Sequence, residues 1–324
     1  MLSRVAENLY WMARYLERAE NTARLINSTT QVLLDLPRGA RFGWDVLIRV
    51  VGLDELYHAK HAVADEYRIV HFLIQDEDNP SSILASIRHA RENSRTFREV
   101  LPTEFWERVN ALYLYVQRNA ERATQGRSQR YEVLAHVIEA RQSIVGLITG
   151  SMSHDVAYQF IKLGRNIERA DMTTRIVDVN SAVLLPEDRA LAGPVLERLW
   201  MATLLALSAY QMYRRHVAVH VRGPNVVNFL LKDPHFPRTV RHCLDEIEGC
   251  LSVLPRHAEP MQAVRRAWRR LERMRLEALA PHVLHEYLDQ VQTDLGAIHE
   301  AVSRHYFHLH RLPPLPTPTR PASQ

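Results

Sequence analysis

One pattern of charge occurs twice in this 324-residue chain: Arg14-Tyr15-Leu16-Glu17-Arg18-Ala19-Glu20-Asn21-Thr22-Ala23-Arg24 returns as Arg165-Asn166-Ile167-Glu168-Arg169-Ala170-Asp171-Met172-Thr173-Thr174-Arg175. Around the first copy, Leu2, Val5, Leu9, Met12, Leu16, Ala19, Ala23 and Ile26 recur three and four apart. Around the second, Val156, Phe160, Leu163, Ile167, Ala170, Thr174 and Val177 do the same. That spacing is the signature of an amphipathic helix, so the chain is constrained to contain two long helices carrying the same charges.

A turn of 100° per residue gathers Arg14, Glu17, Asn21 and Arg24 on the side roughly opposite the apolar seam, with Arg18 and Glu20 at its flanks. The second helix repeats the arrangement with Arg165, Glu168, Arg169, Asp171 and Arg175. Solubility asks only for polar residues on such a face, so the return of the same charges calls for a further reason. Three present themselves: ion pairs that hold helix-to-helix register, a ligand or catalytic site, and inheritance from a duplicated helix. Pairs at i,i+4 such as Glu20 with Arg24 stabilise an exposed helix by about 0.2–0.5 kcal/mol each.

A hydrophobic content of 46% is ample for a packed core, and only 11 glycines interrupt runs of Ala, Leu, Arg and Glu. With no sustained period-two alternation, the expected fold is all-α, a multi-helix bundle with two long, internally repeated motif helices. The first residues lack a basic segment followed by a pure apolar run, and nowhere do eighteen apolar residues run uninterrupted, so a cytoplasmic protein without a membrane span is expected. Cys243 and Cys250 read as buried small apolar residues, not as a disulfide or zinc pair.

The pattern predicts a first helix from about residue 2 to Leu36, ended by Pro37, Gly39 and Gly43, then a shorter helical region to about Gln75. Asp76-Glu77-Asp78-Asn79-Pro80 reads as a cap with proline in the first turn of the next helix. Helices near 103–123 and 128–149 follow, then the second motif helix, closed by Pro186. A helix from Glu187 to His216, a short one through Phe229-Leu230-Leu231, a start at Pro237, and two more near 259–279 and 282–308 complete the chain. The expected organisation is one helical domain over 1–309, with halves at 1–150 and 151–309, and an extended proline-rich tail over 310–324.

Taken together, Ser3-Arg4-Val5-Ala6-Glu7-Asn8-Leu9-Tyr10-Trp11-Met12-Ala13-Arg14-Tyr15-Leu16-Glu17-Arg18-Ala19-Glu20, Asn79-Pro80-Ser81-Ser82-Ile83, Ala90-Arg91-Glu92-Asn93-Ser94-Arg95, the second motif and Phe229-Leu230-Leu231 through Pro237-Arg238 resemble the bacterial alpha-E domain family, also known as domain of unknown function 403. Ala13 and Thr239 depart mildly from that family's usual glycine and serine. The resemblance implies an all-helical domain and, through the company such domains keep, partnership with ATP-grasp-type amide ligases and transglutaminase-like proteins. It implies a role in making or modifying peptide-like amides.

Arg91, Glu92, Asn93, Arg95 and Arg98 form a third charged cluster, and the arginine fork suits carboxylates and phosphates. The ligand-binding candidates are therefore Arg14, Glu17, Arg18, Glu20, Arg24, Arg91, Glu92, Asn93, Arg95, Arg165, Glu168, Arg169, Asp171 and Arg175, with a cleft between Arg14, Arg18, Arg91, Arg165 and Arg169 as the expected site. In a catalytic variant Glu17 or Glu168 is the acid or base, but clustered arginines depress a carboxylate and weaken it as a base. No nucleophile elbow or phosphate-cradling loop is present.

Among 17 histidines, pairs such as His58 with His61, His282 with His285 and His305 with His308 arise by chance, so neither a metal nor another cofactor is expected. The arginines of 265–275 read as the charged outer face of a packed helix, and a nucleic-acid contact is not expected. The overall expectation is a binding or partner module for an amide ligase, holding an anionic peptide-like ligand or the ligase itself. A stand-alone amide- or acyl-acting enzyme and a structural scaffold are the alternatives.

Overall fold

The computed structural model describes residues 3–35, 43–178, 189–274 and 281–307. The described residues contain helices and no strand: α1 (Ser3–Asp35), α2 (Asp45–Val50), α3 (Asp54–His58), α4 (Glu66–Ile74), α5 (Ile83–Thr96), α6 (Thr103–Gln125), α7 (Arg127–Ser151), α8 (Val156–Asp178), α9 (Arg189–Ala206), α10 (Tyr210–His216), α11 (Gly223–Lys232), α12 (Val240–Ser252), α13 (Ala258–Arg273) and α14 (Pro281–Val302). A π-helical turn, Ser303–Phe307, follows the last. No described helix is long and apolar enough to cross a membrane.

Helix α1 runs without Gly or Pro for its whole length, about 50 Å at 1.5 Å per residue. Its surroundings decide where the charged face lies. Helices α5, α7, α8 and α9 all pack on it, so Glu17, Glu20 and Asn21 are as buried as Leu9 and Ile26. Where those helices cover it, α1 has no solvent face, and the charges there must find partners inside the protein.

The same neighbour relations recur in both halves. Helix α5 packs on α1 as α12 packs on α8, and α5 packs on α6 as α12 does on α13. The antiparallel pair α6–α7 corresponds to α13–α14, and α7 lies on α1 as α14 lies on α8. A second sequence correspondence becomes visible once the halves are aligned: Phe72-Leu73-Ile74-Gln75-Asp76-Glu77-Asp78-Asn79-Pro80-Ser81-Ser82-Ile83 with Phe229-Leu230-Leu231-Lys232-Asp233-Pro234-His235-Phe236-Pro237-Arg238-Thr239-Val240. Each stretch closes a short helix, turns on an aspartate and opens the next. Asp76 Oδ1 accepts from the Asp78 N–H at 2.8 Å, and Asp233 Oδ1 from His235 and Phe236 at 2.9 and 2.8 Å. One apolar core extends from Val5 on α1 to Phe307 in the final turn.

Several boundaries differ from the sequence reading. Asn79 is not the cap of α5: its side chain is buried, donating to the Phe72 carbonyl (2.9 Å) and accepting from the Ser81 N–H (2.9 Å), while Ser82 caps the helix by accepting from the Ala85 N–H (3.1 Å). Likewise α12 starts after Thr239, which accepts from the His242 N–H at 3.1 Å, and not at Pro237. The helix expected over 187–216 is two helices. Between them Ser208 takes the left-handed conformation (φ 54°) and the Ala209 N–H returns to the Leu204 carbonyl at 2.7 Å, a C-terminal cap that ends α9. The expected helix end at Pro186 and the proline-rich tail lie outside the described residues. Cys243 and Cys250 are buried free thiols, each pushed up to about 12 by burial, as small core residues should be.

Two glycines of the long helices face opposite surroundings. A Cβ on Gly164 would lie 2.3 Å from the Tyr10 carbonyl oxygen, because α8 crosses α1 there backbone to backbone; a Cβ on Gly146 would meet nothing within 4 Å. Gly146→Ala is expected to raise stability by about 0.5–1 kcal/mol through helix propensity. Gly164→Ala is expected to lower it by about 1–3 kcal/mol, since the helices must separate. Urea unfolding of the two variants checks both signs.

Candidate functional site: crossed carboxylate and arginine pairs beside an open cleft

Where α1 and α8 cross, the repeated Glu-Arg dipeptides exchange partners. Glu17 of the first copy takes Arg169 of the second, with Arg169 Nε 2.8 Å from Oε1 and Nη2 3.0 Å from Oε2. Glu168 of the second copy takes Arg18 of the first, with Nε 2.6 Å from Oε1 and Nη2 3.2 Å from Oε2. Both pairs are two-point contacts between planar groups, the geometry arginine makes best. Residues one turn away pair within their own helix: Glu20 with Arg24 and Asp171 with Arg175, each at 2.8 Å.

The surroundings of the two exchanged pairs differ. On the Glu17 side, Arg141 from α7 and Arg238 from the turn before α12 enter the space beside Arg169. Arg238 places Nη1 at 3.1 Å from Glu17 Oε1 and 2.8 Å from Asn21 Oδ1, and Nη2 at 2.6 Å from Glu20 Oε1. Arg141 bonds Glu17 Oε2 and reaches Glu20 Oε2 at 2.7 Å. Burial by itself raises the Glu17 carboxyl, but Arg141, Arg169 and Arg238 overcome it and hold it well below the usual range; Glu20 is lowered in the same way by Arg141 and Arg238. Arg238 falls to about 10, because burial outweighs both carboxylates. Arg165 lies alongside without an ion pair among the described residues, its buried Nε unpartnered and its pKa lowered by burial and by Arg169 and Arg141. Glu17 and Glu20 are sealed from solvent.

On the Glu168 side the exchanged pair borders an open cleft of about 310 Å³. Arg14 Nε adds a 2.7 Å contact to Glu168 Oε2, and together Arg18 and Arg14 bring this carboxyl to about 2 against the effect of burial. Arg175 and Asp171 line the next turn. Gly52, at φ 70°, lets the chain after α2 close on Arg175: a Cβ there would stand 2.9 Å from Nη1. Ser81, Thr22, Leu73, Met172, Leu295 and His299 complete the walls. Tyr10 Oη receives a long contact from Arg14 Nη1 (3.4 Å) and shares a hydrogen bond with His299 Nδ1 at 2.8 Å. Burial first, and Arg14 second, push His299 down to about 4, so it is neutral near pH 7.

The structure thus unites Arg14, Arg18, Glu168, Asp171 and Arg175 in one cleft, and Glu17, Glu20, Arg24 and Arg169 in the sealed cluster beside it. It does not bring Arg91, Glu92, Asn93 or Arg95 to either. Arg91 turns to Asn110 (2.8 Å) and over the Trp106 and Tyr113 rings, and Arg95 reaches Glu92 at 3.7 Å on the exposed flank of α5. Their helical face points away from α1. Sequence reading missed Arg141 and Arg238. The available signals were an arginine on the apolar stripe of α7, between Val137 and Ile144, and the alignment of Arg238 with Ser81. Glu168, nearly deprived of basicity and doubly paired, is a poor general base. Among the described residues one group has metal-like proximity, the partly exposed Asp178, His285 and Asp289; His285 makes a 2.9 Å contact with Asp178 there. The arginines of α13 lie on its outer face, with Leu271 and Met274 buried beneath, as expected.

The family described as Alpha-E, a predicted alpha-helical domain with a conserved ER motif, matches residues 1–307, and the chain belongs to it. The two ER dipeptides here are Glu17-Arg18 and Glu168-Arg169. Uncharacterized proteins of Mycobacterium bovis and Mycobacterium tuberculosis are 27% identical over 281 residues, covering 78% of this chain and 30% of theirs. The chain therefore spans under a third of the length of these relatives. No solved structure matches it.

Two stability outcomes follow from the exchanged pairs. Glu17→Gln removes the carboxylate shared by Arg141, Arg169 and Arg238 and is expected to cost about 3–5 kcal/mol in urea unfolding. Acid is expected to destabilise the native protein in two stages. His299 is depressed, so the unfolded chain binds its proton first and stability declines as pH falls from about 6.5 toward 4. The Glu168 contribution, roughly 3 kcal/mol, is fully present above about pH 4.5 and is lost as pH falls toward 2. A urea midpoint that stays flat from pH 7 to 3 contradicts this account.

Proposed function

We propose that this chain is a cytoplasmic binding module of a bacterial amide-forming system, in which the cleft between α1 and α8 holds the anionic end of a peptide-like substrate for an ATP-grasp-type ligase. The observation that carries this reading is the convergence of Arg14, Arg18 and Arg175 on one open cleft containing two carboxylates, Glu168 and Asp171. Three guanidinium groups against two carboxylates leave an excess of one positive charge, and His299 adds none near neutrality. An anion neutralises that excess through the arginines that line the cleft. Leu73, Met172 and Leu295 provide an apolar wall for the rest of the ligand.

The low basicity of Glu168 and the enclosure of Glu17 favour holding over catalysis. The amide ligase, and a transglutaminase-like protein as a second partner, rest on the family resemblance. The much greater length of the mycobacterial relatives is compatible with a module that works beside other domains. The sealed Glu17 cluster fits a register-holding role within that module.

Arg175→Ala tests the reading. Its pair with Asp171 is a partly exposed i,i+4 contact, so truncation is expected to cost less than about 1 kcal/mol. Reconstituted with an ATP-grasp ligase from the same cell, the variant is expected to stay folded and to lose most ligase-dependent product formation. Unchanged product formation with both Arg175→Ala and Arg14→Ala overturns the proposal.

A further inference from the structure

The open cleft has a filled counterpart in the other half of the molecule. The motif repeat carries Glu17 onto Glu168, Glu20 onto Asp171 and Thr22 onto Thr173, and the second repeat carries Ser81 onto Arg238. The correspondence holds at the level of contacts. Thr173 Oγ1 donates to the Arg238 carbonyl at 2.8 Å, Thr22 and Ser81 line the cleft together, and Arg18 Nη1 approaches Ser81 Oγ at 3.4 Å as Arg169 Nη1 approaches the Pro237 carbonyl at 3.3 Å.

Helices α7 and α14 extend the comparison. The buried positions Arg130, Leu134, Val137, Arg141, Ile144 and Ile148 have the same alternation of four and three as Leu284, Leu288, Val291, Leu295, Ile298 and Val302. Of the positions this alternation allows, Leu295 is the one that lines the cleft, so it stands where Arg141 stands. The two guanidinium groups that bridge Glu17 and Glu20 have Ser81 and Leu295 as counterparts, and the space that two shorter, uncharged side chains leave is the cleft.

The filled half shows what this pair of carboxylates, one turn apart, accepts between them. Arg238 spans Glu17 and Glu20 with its two terminal nitrogens. In the cleft the equivalent acids are not equally occupied. Glu168 is met by Arg14 and Arg18, whereas Asp171 meets Arg175 through Oδ2 alone and is partly exposed. The cleft therefore offers a cation position at Asp171 next to anion positions on Arg14, Arg18 and Arg175, with an apolar wall beside both.

We propose that the cleft binds a free α-amino acid with an apolar side chain: its ammonium sits against Asp171 in the place of the Arg238 guanidinium, its carboxylate on the arginines, and its side chain against Leu73, Met172 and Leu295. This rests on the reading of the cleft as a binding site and specifies its ligand. An amine alone increases the positive excess of the site and a carboxylate alone leaves Asp171 with Arg175 as its one cation, whereas a zwitterion serves Asp171 and the arginines together. An amino acid is also the kind of nucleophile or acyl component from which an amide ligase builds its product.

Calorimetric titration of the full chain with L-leucine, 4-methylpentanoate and 3-methylbutylamine tests the proposal, because the last two lack the ammonium and the carboxylate respectively. Leucine is expected to bind at least about tenfold more tightly than either, the effect of one charge-assisted hydrogen bond. Asp171→Asn is expected to abolish the preference over 4-methylpentanoate. Ser81→Arg puts an arginine where the other half has Arg238 and is expected to abolish binding of all three, with helical circular dichroism unchanged. Equal or tighter binding of 4-methylpentanoate overturns the amino-acid assignment, while the anion site survives if Ser81→Arg blocks it. Leucine binding that is indifferent to both substitutions places the ligand elsewhere and overturns the assignment. Failure of all three probes to bind overturns the amino-acid assignment, while the cleft reading is overturned by unchanged product formation in Arg175→Ala and Arg14→Ala.

Discussion

Two carboxylates and two guanidinium groups, exchanged between α1 and α8, set the terms for the rest of this fold. Glu17 bonds Arg169 and Glu168 bonds Arg18, each across the helix crossing and each by two nitrogens. Neither carboxylate reaches water to any useful extent, so the pairs exist only if the helices meet in one register. A slip by one turn would strand buried charges at both ends at once. Gly164 makes the required approach possible, since its α-carbon lies against the Tyr10 backbone and leaves the longer side chains on either side within reach of their partners. Apolar packing drives the helices together, and the exchanged pairs select the arrangement in which they do so.

The same crossing is finished differently on its two sides. Arg141 and Arg238 close one side into a dense, dry cluster of four arginines on two glutamates, counting Arg24 and Arg169. Ser81 and Leu295 leave the other open. A repeated structural unit can thus carry a locked half and a receptive half without changing its backbone. The locked half holds the helices, and the open half inherits a charge arrangement already positioned by that lock, as the proposed binding site requires.

Much of the fold was legible before any coordinates. Three-and-four spacing revealed α1 and α8, the helices expected near 103–123 and 128–149 are α6 and α7, and Cys243 and Cys250 read correctly as core residues. What misled was local. Asn79-Pro80 has the look of a helix cap, yet the Asn79 side chain is spent on the Phe72 carbonyl and the Ser81 N–H, so the helix waits for Ser82. The arginines after Ala90 resemble those of the motif in type and density, but α5 turns their face away from the crossing. Glu17 and Glu20 read as candidates for a ligand cleft, yet they lie in the sealed cluster, because a helical wheel has no knowledge of how many neighbours will cover a face.

The sequence by itself determined that the chain is helical, that two of its helices carry the same charges, and which residues are chemically able to pair. Periodicity and residue type are properties of a segment, and a segment displays them wherever it is placed. Only the tertiary structure decided that Glu17 pairs with Arg169 instead of its own helix, that Arg141 and Arg238 complete one cluster, and that Ser81 and Leu295 leave its counterpart open. Those outcomes depend on side chains from segments 63 to 221 residues apart meeting at hydrogen-bonding distance, as in Arg18 with Ser81 and Arg238 with Glu17. No local pattern encodes such a distance, because it is set by how whole helices pack and not by the order of residues along any one of them.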